Sequence, residues 1–168
     1  MIDLKELRLA VIRPALQAIN LWCLDAEELL IATCAQETKG GLYLVQETRG
    51  GEMYMKGGLG IYQMEAATHE SLWLHRISNM PELKSKIMTY CDFQEKPAAG
   101  ELVQNLGYAS IMTRIFYHGI EEPLPPANNV EAMGVYWKKY YNTVYGAGTV
   151  DEFVKSYHTY VGTTVGAK

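Results

Sequence analysis

The stretch over residues 29–72, LLIATCAQETKGGLYLVQETRGGEMYMKGGLGIYQMEAATHESL, constrains this chain more than any other. Its first ten residues form an apolar run at helical spacing that ends in Glu37-Thr38, and Gly40-Gly41 stop it. A Gly-rich polar segment follows, and Gly60-Ile61-Tyr62-Gln63-Met64 then leads into a second helical pattern. A carboxylate at the end of an apolar helix, faced by a Gly-x-x-Gln turn, is an arrangement suited to acid–base chemistry in a cleft.

Helical patterning dominates the rest. Leu4, Leu7, Val11, Leu16 and Ile19 recur at helical spacing, with Pro14 bending or restarting the helix. Asp25 with Glu28 has the form of an N-cap and its capping Glu, which predicts a helix over 26–39. Between 40 and 60, Leu42, Leu44 and Tyr54 around Gly50-Gly51 predict a short hairpin or an ordered loop. Further helices are expected over 66–77, 81–91, 100–117, 129–143 and 149–160, the last with Thr149 and Glu152 as a capping box. Glu121-Glu122-Pro123-Leu124-Pro125-Pro126 cannot be helical and makes a surface connection. The expected fold is therefore a single, mainly α domain over residues 1–168 with a small β-hairpin or loop beside a cleft.

Composition and motifs exclude several classes. A net charge of −4 with no Lys/Arg-rich face argues against nucleic acid as partner. No apolar run approaches the roughly 20 residues of a membrane span, and the charged N-terminus does not read as a signal peptide. Cys23, Cys34 and Cys91 show no C-x-x-C spacing, and the first two read as buried thiols, which points to folding in a reducing compartment. His69 and His75 lack the spacing of a zinc-binding helix, no phosphate loop or nucleophile elbow is present, and neither metal nor cofactor is expected.

Glu37 is the candidate acid. An apolar helix precedes it, partial burial raises a carboxyl pKa, and the negative end of the helix dipole acts in the same direction. The competing reading is a solvated Glu in a last helical turn. Gly60 allows close approach of another segment, and Gln63 offers donors and an acceptor suited to an N-acetyl group or to orienting the acid. Glu47, in the local echo QETRGG of QETKGG, is a possible second carboxylate, which would orient water in an inverting reaction at about 6.5–9.5 Å from the acid. Glu52 and Glu65 read as surface residues.

Glu37-Thr38 at a helix end, followed by Gly60-Ile61-Tyr62-Gln63-Met64 and a Thr-Ala-type helix start, resembles the catalytic half of lysozyme-like lytic transglycosylases. The helix with Asn105 near its start, and Tyr140-Tyr141-Asn142, look like that family's later helix and its Tyr-Asn pair, so the likeness covers about 26–148. Thr38 stands where Ser is usual, Tyr62 where Leu or Met is common, and TVYGAGT follows Asn142 in place of Ala-Gly. The resemblance implies a lysozyme-like fold that cleaves the β-1,4 bond between N-acetylmuramic acid and N-acetylglucosamine, with Glu37 as general acid and base. It further implies substrate contacts at Thr38, Tyr62, Gln63, Tyr141 and Asn142, with Tyr62 or Tyr54 as sugar platforms. Packing of Tyr136, Trp137, Tyr140 and Tyr141 in a helix core is the alternative for the aromatic run. Whether water or the sugar's own 6-hydroxyl completes the reaction is open at this stage. So is the choice between an endolysin, a wall-degrading virion protein and a catalytically weak glycan-binding virion component. Without a leader, a holin-type pore or packaging in a virion would give access to the wall.

Overall fold

The computed structural model describes residues 2–45, 57–143 and 146–162. Glu47, Glu52 and Tyr54 lie outside the described residues. What is described is mainly helical, with one two-stranded antiparallel sheet.

The chain opens with α1 (Leu4–Leu7), a π-helical turn (Arg8–Ile12) and α2 (Arg13–Ala18) in series. Pro14 has no N–H to donate, and the helix absorbs this as a widened turn in which Arg13 N–H bonds Arg8 C=O. The helix therefore continues past Pro14.

Helix α3 (Leu24–Thr38) is the centre of the molecule. Leu29, Leu30, Ile31, Ala32, Cys34 and Ala35 show no exposed surface, so the middle of the helix is covered on nearly every face. Its N-cap is Cys23, whose Sγ accepts Ala26 N–H, and not Asp25, whose carboxylate instead accepts Ala127 N–H at 2.8 Å. Glu28 is likewise no capping residue, because Arg8 and Tyr157 engage its carboxylate. The helix ends at Thr38, one residue earlier than expected, with Lys39 in the left-handed conformation and Gly40 and Gly41 also at positive φ.

The sheet is smaller and later in sequence than the hairpin expected over 40–60. Strand β1 (Gly58–Leu59) pairs with β2 (Met64–Glu65), so Gly60–Gln63 forms the turn between them, and Val45 bridges to Leu59. Gly60 has φ +69, and a Cβ there would stand 1.9 Å from the Leu102 carbonyl oxygen. That contact locks the turn against α6 (Glu101–Gln104). Gly60→Ala combines backbone strain with a backbone clash and is expected to cost about 3 kcal/mol or more. Urea unfolding checks this, and a loss below about 1 kcal/mol would refute the packing argument.

Helix α4 (Ala66–His75), a 3₁₀ turn (Ile77–Asn79) and α5 (Pro81–Cys91) follow. The helix expected over 100–117 divides at Asn105, whose side chain accepts Tyr108 N–H at 2.9 Å and so caps α7 (Leu106–His118). Helix α8 (Val130–Trp137) passes into a second π-helical turn (Lys138–Asn142), and α9 (Val150–Tyr160) starts at the expected Thr149–Glu152 capping box. Helices α7, α8 and α9 all pack on α3, which places the end of α3 beside the π-turn.

Candidate active site

The C-terminal turn of α3, the β1–β2 turn, the start of α4 and the π-turn after α8 enclose a cleft of about 650 Å³. Glu37 lines it and is half-buried. Burial pushes its carboxyl up to about 7, against the opposing pull of a hydrogen bond from Trp137. Trp137 Nε1–H donates to Glu37 Oε1 at 2.8 Å. An indole N–H can only donate, so Oε1 is an acceptor in both protonation states and Oε2 is the oxygen that carries the proton.

Trp137 is itself fixed. It is almost fully buried, and its ring packs on Phe153 with centroids 5.2 Å apart. A Cβ at Gly148 would stand 2.6 Å from the indole, so the loop can cross it there only as glycine. Tyr43 braces the other side of the acid, its hydroxyl donating to the Glu37 carbonyl at 2.7 Å while its ring lines the cleft.

Gln63, Tyr141 and Asn142 line the cleft with Glu37. Gln63 sits at φ +50, and its amide nitrogen donates to Gly60 C=O at 2.8 Å. The Tyr141 hydroxyl donates to Tyr62 C=O at 2.7 Å, which ties the π-turn to the β1–β2 turn. Tyr141 thus holds the opposite wall, whereas the acid is held by Trp137. Burial, with the Glu37 charge next, keeps the Tyr141 hydroxyl well above its usual pKa, so it stays neutral. Asn142 Oδ1 accepts from Lys138, which also donates to Gly146 C=O, so Lys138 ties together two residues that line the cleft.

Thr38 and Tyr62 are not in the cleft. Thr38 is fully buried; its hydroxyl lies 2.9 Å from Ile61 C=O and accepts Gly41 N–H at 3.0 Å, joining the end of α3 to the β1–β2 turn. A β-branched residue turned inward from a helix end makes a staple and offers a sugar nothing. Tyr62 is 1% exposed, with its hydroxyl 3.0 Å from Ser110 Oγ, so it packs the core and cannot serve as a platform. Glu65 is exposed as expected, yet it borders the same cleft.

Sequence reasoning missed Trp137 as the partner of the acid and Tyr43 as its brace. Trp137 stands four residues before Tyr141, on the same helical face, which is the signal that marks it. Tyr43 carries no such signal. Strain also gathers here. Thr143, a β-branched residue at φ +62 and ψ 174, lines the cleft alongside Gln63. Such conformations persist only where the surroundings over-determine them, and they concentrate at functional sites. Among the described residues no group of three His, Cys, Asp or Glu side chains could hold a metal ion.

Compared with protein-family models, with curated proteins and with solved structures, the chain has no match.

Proposed function

We propose that the chain is a peptidoglycan-degrading glycosidase of lysozyme-like fold, cleaving the β-1,4 bond between N-acetylmuramic acid and N-acetylglucosamine. The observation that carries this reading is the Glu37 carboxyl, held in a cleft with its pKa raised to about 7. An acid protonated near neutral pH, on a rigid helix end, is what protonation of a glycosidic oxygen requires. The helix-ending acid, the Gly-x-x-Gln turn and the Tyr-Asn pair all border one cleft, which supports the likeness to lytic transglycosylases.

In this reading Oε2 of Glu37 gives its proton to the glycosidic oxygen as the C1–O bond breaks, leaving an oxocarbenium-like sugar. The resulting carboxylate, still bonded to Trp137, then takes a proton from the attacking hydroxyl. That hydroxyl is the sugar's own 6-hydroxyl in an anhydro-forming reaction and a water in hydrolysis. Glu37 alone performs both proton transfers, so the reading needs no second carboxylate.

The test is clearing of outer-membrane-permeabilised Gram-negative cells. The native protein is expected to clear them, and Glu37→Gln to do so about 10²- to 10⁴-fold more slowly at equal folding. Mass spectrometry of the released sugars distinguishes anhydro from reducing ends. Full clearing by Glu37→Gln would remove Glu37 from the mechanism. A native protein that binds walls but clears none would instead be a glycan-binding component.

A further inference from the structure

His69, in the first turn of α4, shows no exposed surface, although its side chain can ionise. Its Nε2 lies 2.7 Å from the Tyr108 hydroxyl on α7, and its Nδ1 lies 3.3 Å from Glu70 Oε1. Trp73 Nε1–H donates to the same Tyr108 oxygen at 2.7 Å. Tyr108 is itself fully buried, and Phe93 packs on it edge-on with centroids 5.2 Å apart.

These contacts fix the positions of the protons. The Tyr108 oxygen accepts from the indole, which can only donate, and keeps one proton of its own to give. Among the described residues, His69 Nε2 is the acceptor that remains for it. Nε2 is therefore bare, and the proton of the neutral ring sits on Nδ1, facing Glu70. Lys96 holds the Glu70 carboxyl below its usual range, so Glu70 is ionised and accepts. Three side chains on two helices are satisfied as long as the imidazole is neutral.

A proton added at Nε2 turns this acceptor into a donor. The Tyr108 oxygen then faces two donors, and its own proton has lost its partner in a buried site. Burial, the largest influence on His69, holds its pKa below the ordinary value; the hydrogen bond and charge of Glu70 pull the other way, and the charge of Lys96 again opposes protonation. Cys91 at the end of α5 and Glu101 at the start of α6 act on Tyr108, as does Glu70. The consequence reaches the cleft because β2 runs directly into α4. Met64, Glu65 and Thr68 line the cleft, and His69 is the next residue.

We propose that His69 is an acid-sensitive latch: as the neutral ring it accepts the Tyr108 hydroxyl and holds α4, with the cleft wall that α4 carries, against α7, and once protonated it releases α4. The latch acts whatever the cleft binds, so it goes beyond the glycosidase reading without resting on it. A folded-state pKa below the unfolded one gives stability that is fully present above pH 6.5 and lost as pH falls through the folded value.

The experiment is hydrogen exchange of the α4 amides from pH 7.5 to 5, corrected for intrinsic exchange, in the native protein and in His69→Gln. The Gln oxygen can take the place of Nε2 and does not titrate. Native α4 is expected to lose protection about ten-fold or more relative to His69→Gln over this range. An equal pH dependence in the two proteins overturns the latch. Imidazole nitrogen shifts of the native protein decide the matter even if His69→Gln fails to fold. They should show the proton on Nδ1 at pH 7.5, and the ring should titrate with the same midpoint as the loss of α4 protection. A proton on Nε2 at pH 7.5, or α4 protection that persists after the ring has titrated, overturns the proposal.

Discussion

At pH 9, Glu37→Gln is expected to melt roughly 3–10 °C above the native protein, while at pH 4.5 the two should melt together. Burial raises the Glu37 carboxyl from its usual 4.5 to about 7 in the folded protein. A folded-state pKa above the unfolded one gives stability that is fully present below pH 4.5 and lost as pH rises through 7. The full shift corresponds to about 3 kcal/mol; because Glu37 keeps some solvent contact, about 1–3 kcal/mol is the expected loss. Gln carries no charge at any pH and keeps an oxygen to accept from Trp137, so it removes the alkaline loss alone. Calorimetric scans at several pH values check this. A difference in Tm that does not change between pH 5 and 9, or a mutant that is less stable at pH 9, would show that the carboxyl is not perturbed as described.

The same substitution joins this stability gain to the proposed loss of clearing. A site that needs a neutral carboxyl near pH 7 must keep it from water, and the fold bears that cost whenever the group ionises. The strained backbone at Gln63 and Thr143 has the same character: both residues line the cleft, and neither conformation is favourable on its own.

What could be read from the sequence follows from how local each feature is. The capping box at Thr149–Glu152 and the Pro81 helix start were legible because a few adjacent residues decide them. Asn105 had the chemistry of an N-cap, yet its apolar neighbours suggested one continuous helix, and the cap won. Cys23 displaced Asp25 as the cap of α3 because Asp25 is used by Ala127, more than a hundred residues away, and no local pattern carries that pairing. The apolar approach to Glu37 and the turn at Gln63 mark two residues that line the cleft. Thr38 and Tyr62 were misread because adjacency to the acid and the turn does not fix which way a side chain points. Thr38 turns towards Ile61 and Tyr62 towards Ser110, and both contacts depend on how the β1–β2 turn seats against α3 and α7.

Ten residues before the proposed acid, on the same helix, Glu27 shows the opposite electrostatics, and its removal carries the largest expected effect on stability. Glu27 is fully buried. Its Oε1 accepts from Arg13 at 2.8 Å and from Arg8 at 3.3 Å, and its Oε2 from Arg13 at 2.8 Å and from Trp22 at 2.6 Å. Burial alone would raise this carboxyl, but the hydrogen bonds from Arg13 and Trp22 and the charges of Arg13 and Arg8 outweigh it and hold it below the usual range. Glu27→Ala leaves Arg8 to Glu28 alone and strips Arg13 and Trp22 of their acceptor. Removing one partner of a buried pair costs about 3–5 kcal/mol, a third or more of the stability of an ordinary domain. Urea unfolding at pH 7 measures it, and a loss below about 1 kcal/mol would mean that the cluster is solvated and does not bind α1–α2 to α3. Glu27→Gln, which keeps an acceptor for Trp22, should lose less than Glu27→Ala. Because the folded-state pKa is depressed, the contribution of Glu27 is present above the usual carboxylate range and lost as pH falls through its folded value. One helix thus carries two carboxylates with opposed pH responses. Its N-terminal Glu is made ionic by cations and an indole that fasten the fold. Its C-terminal Glu has an indole but, among the described residues, no cation in contact, and burial leaves it about half protonated at pH 7.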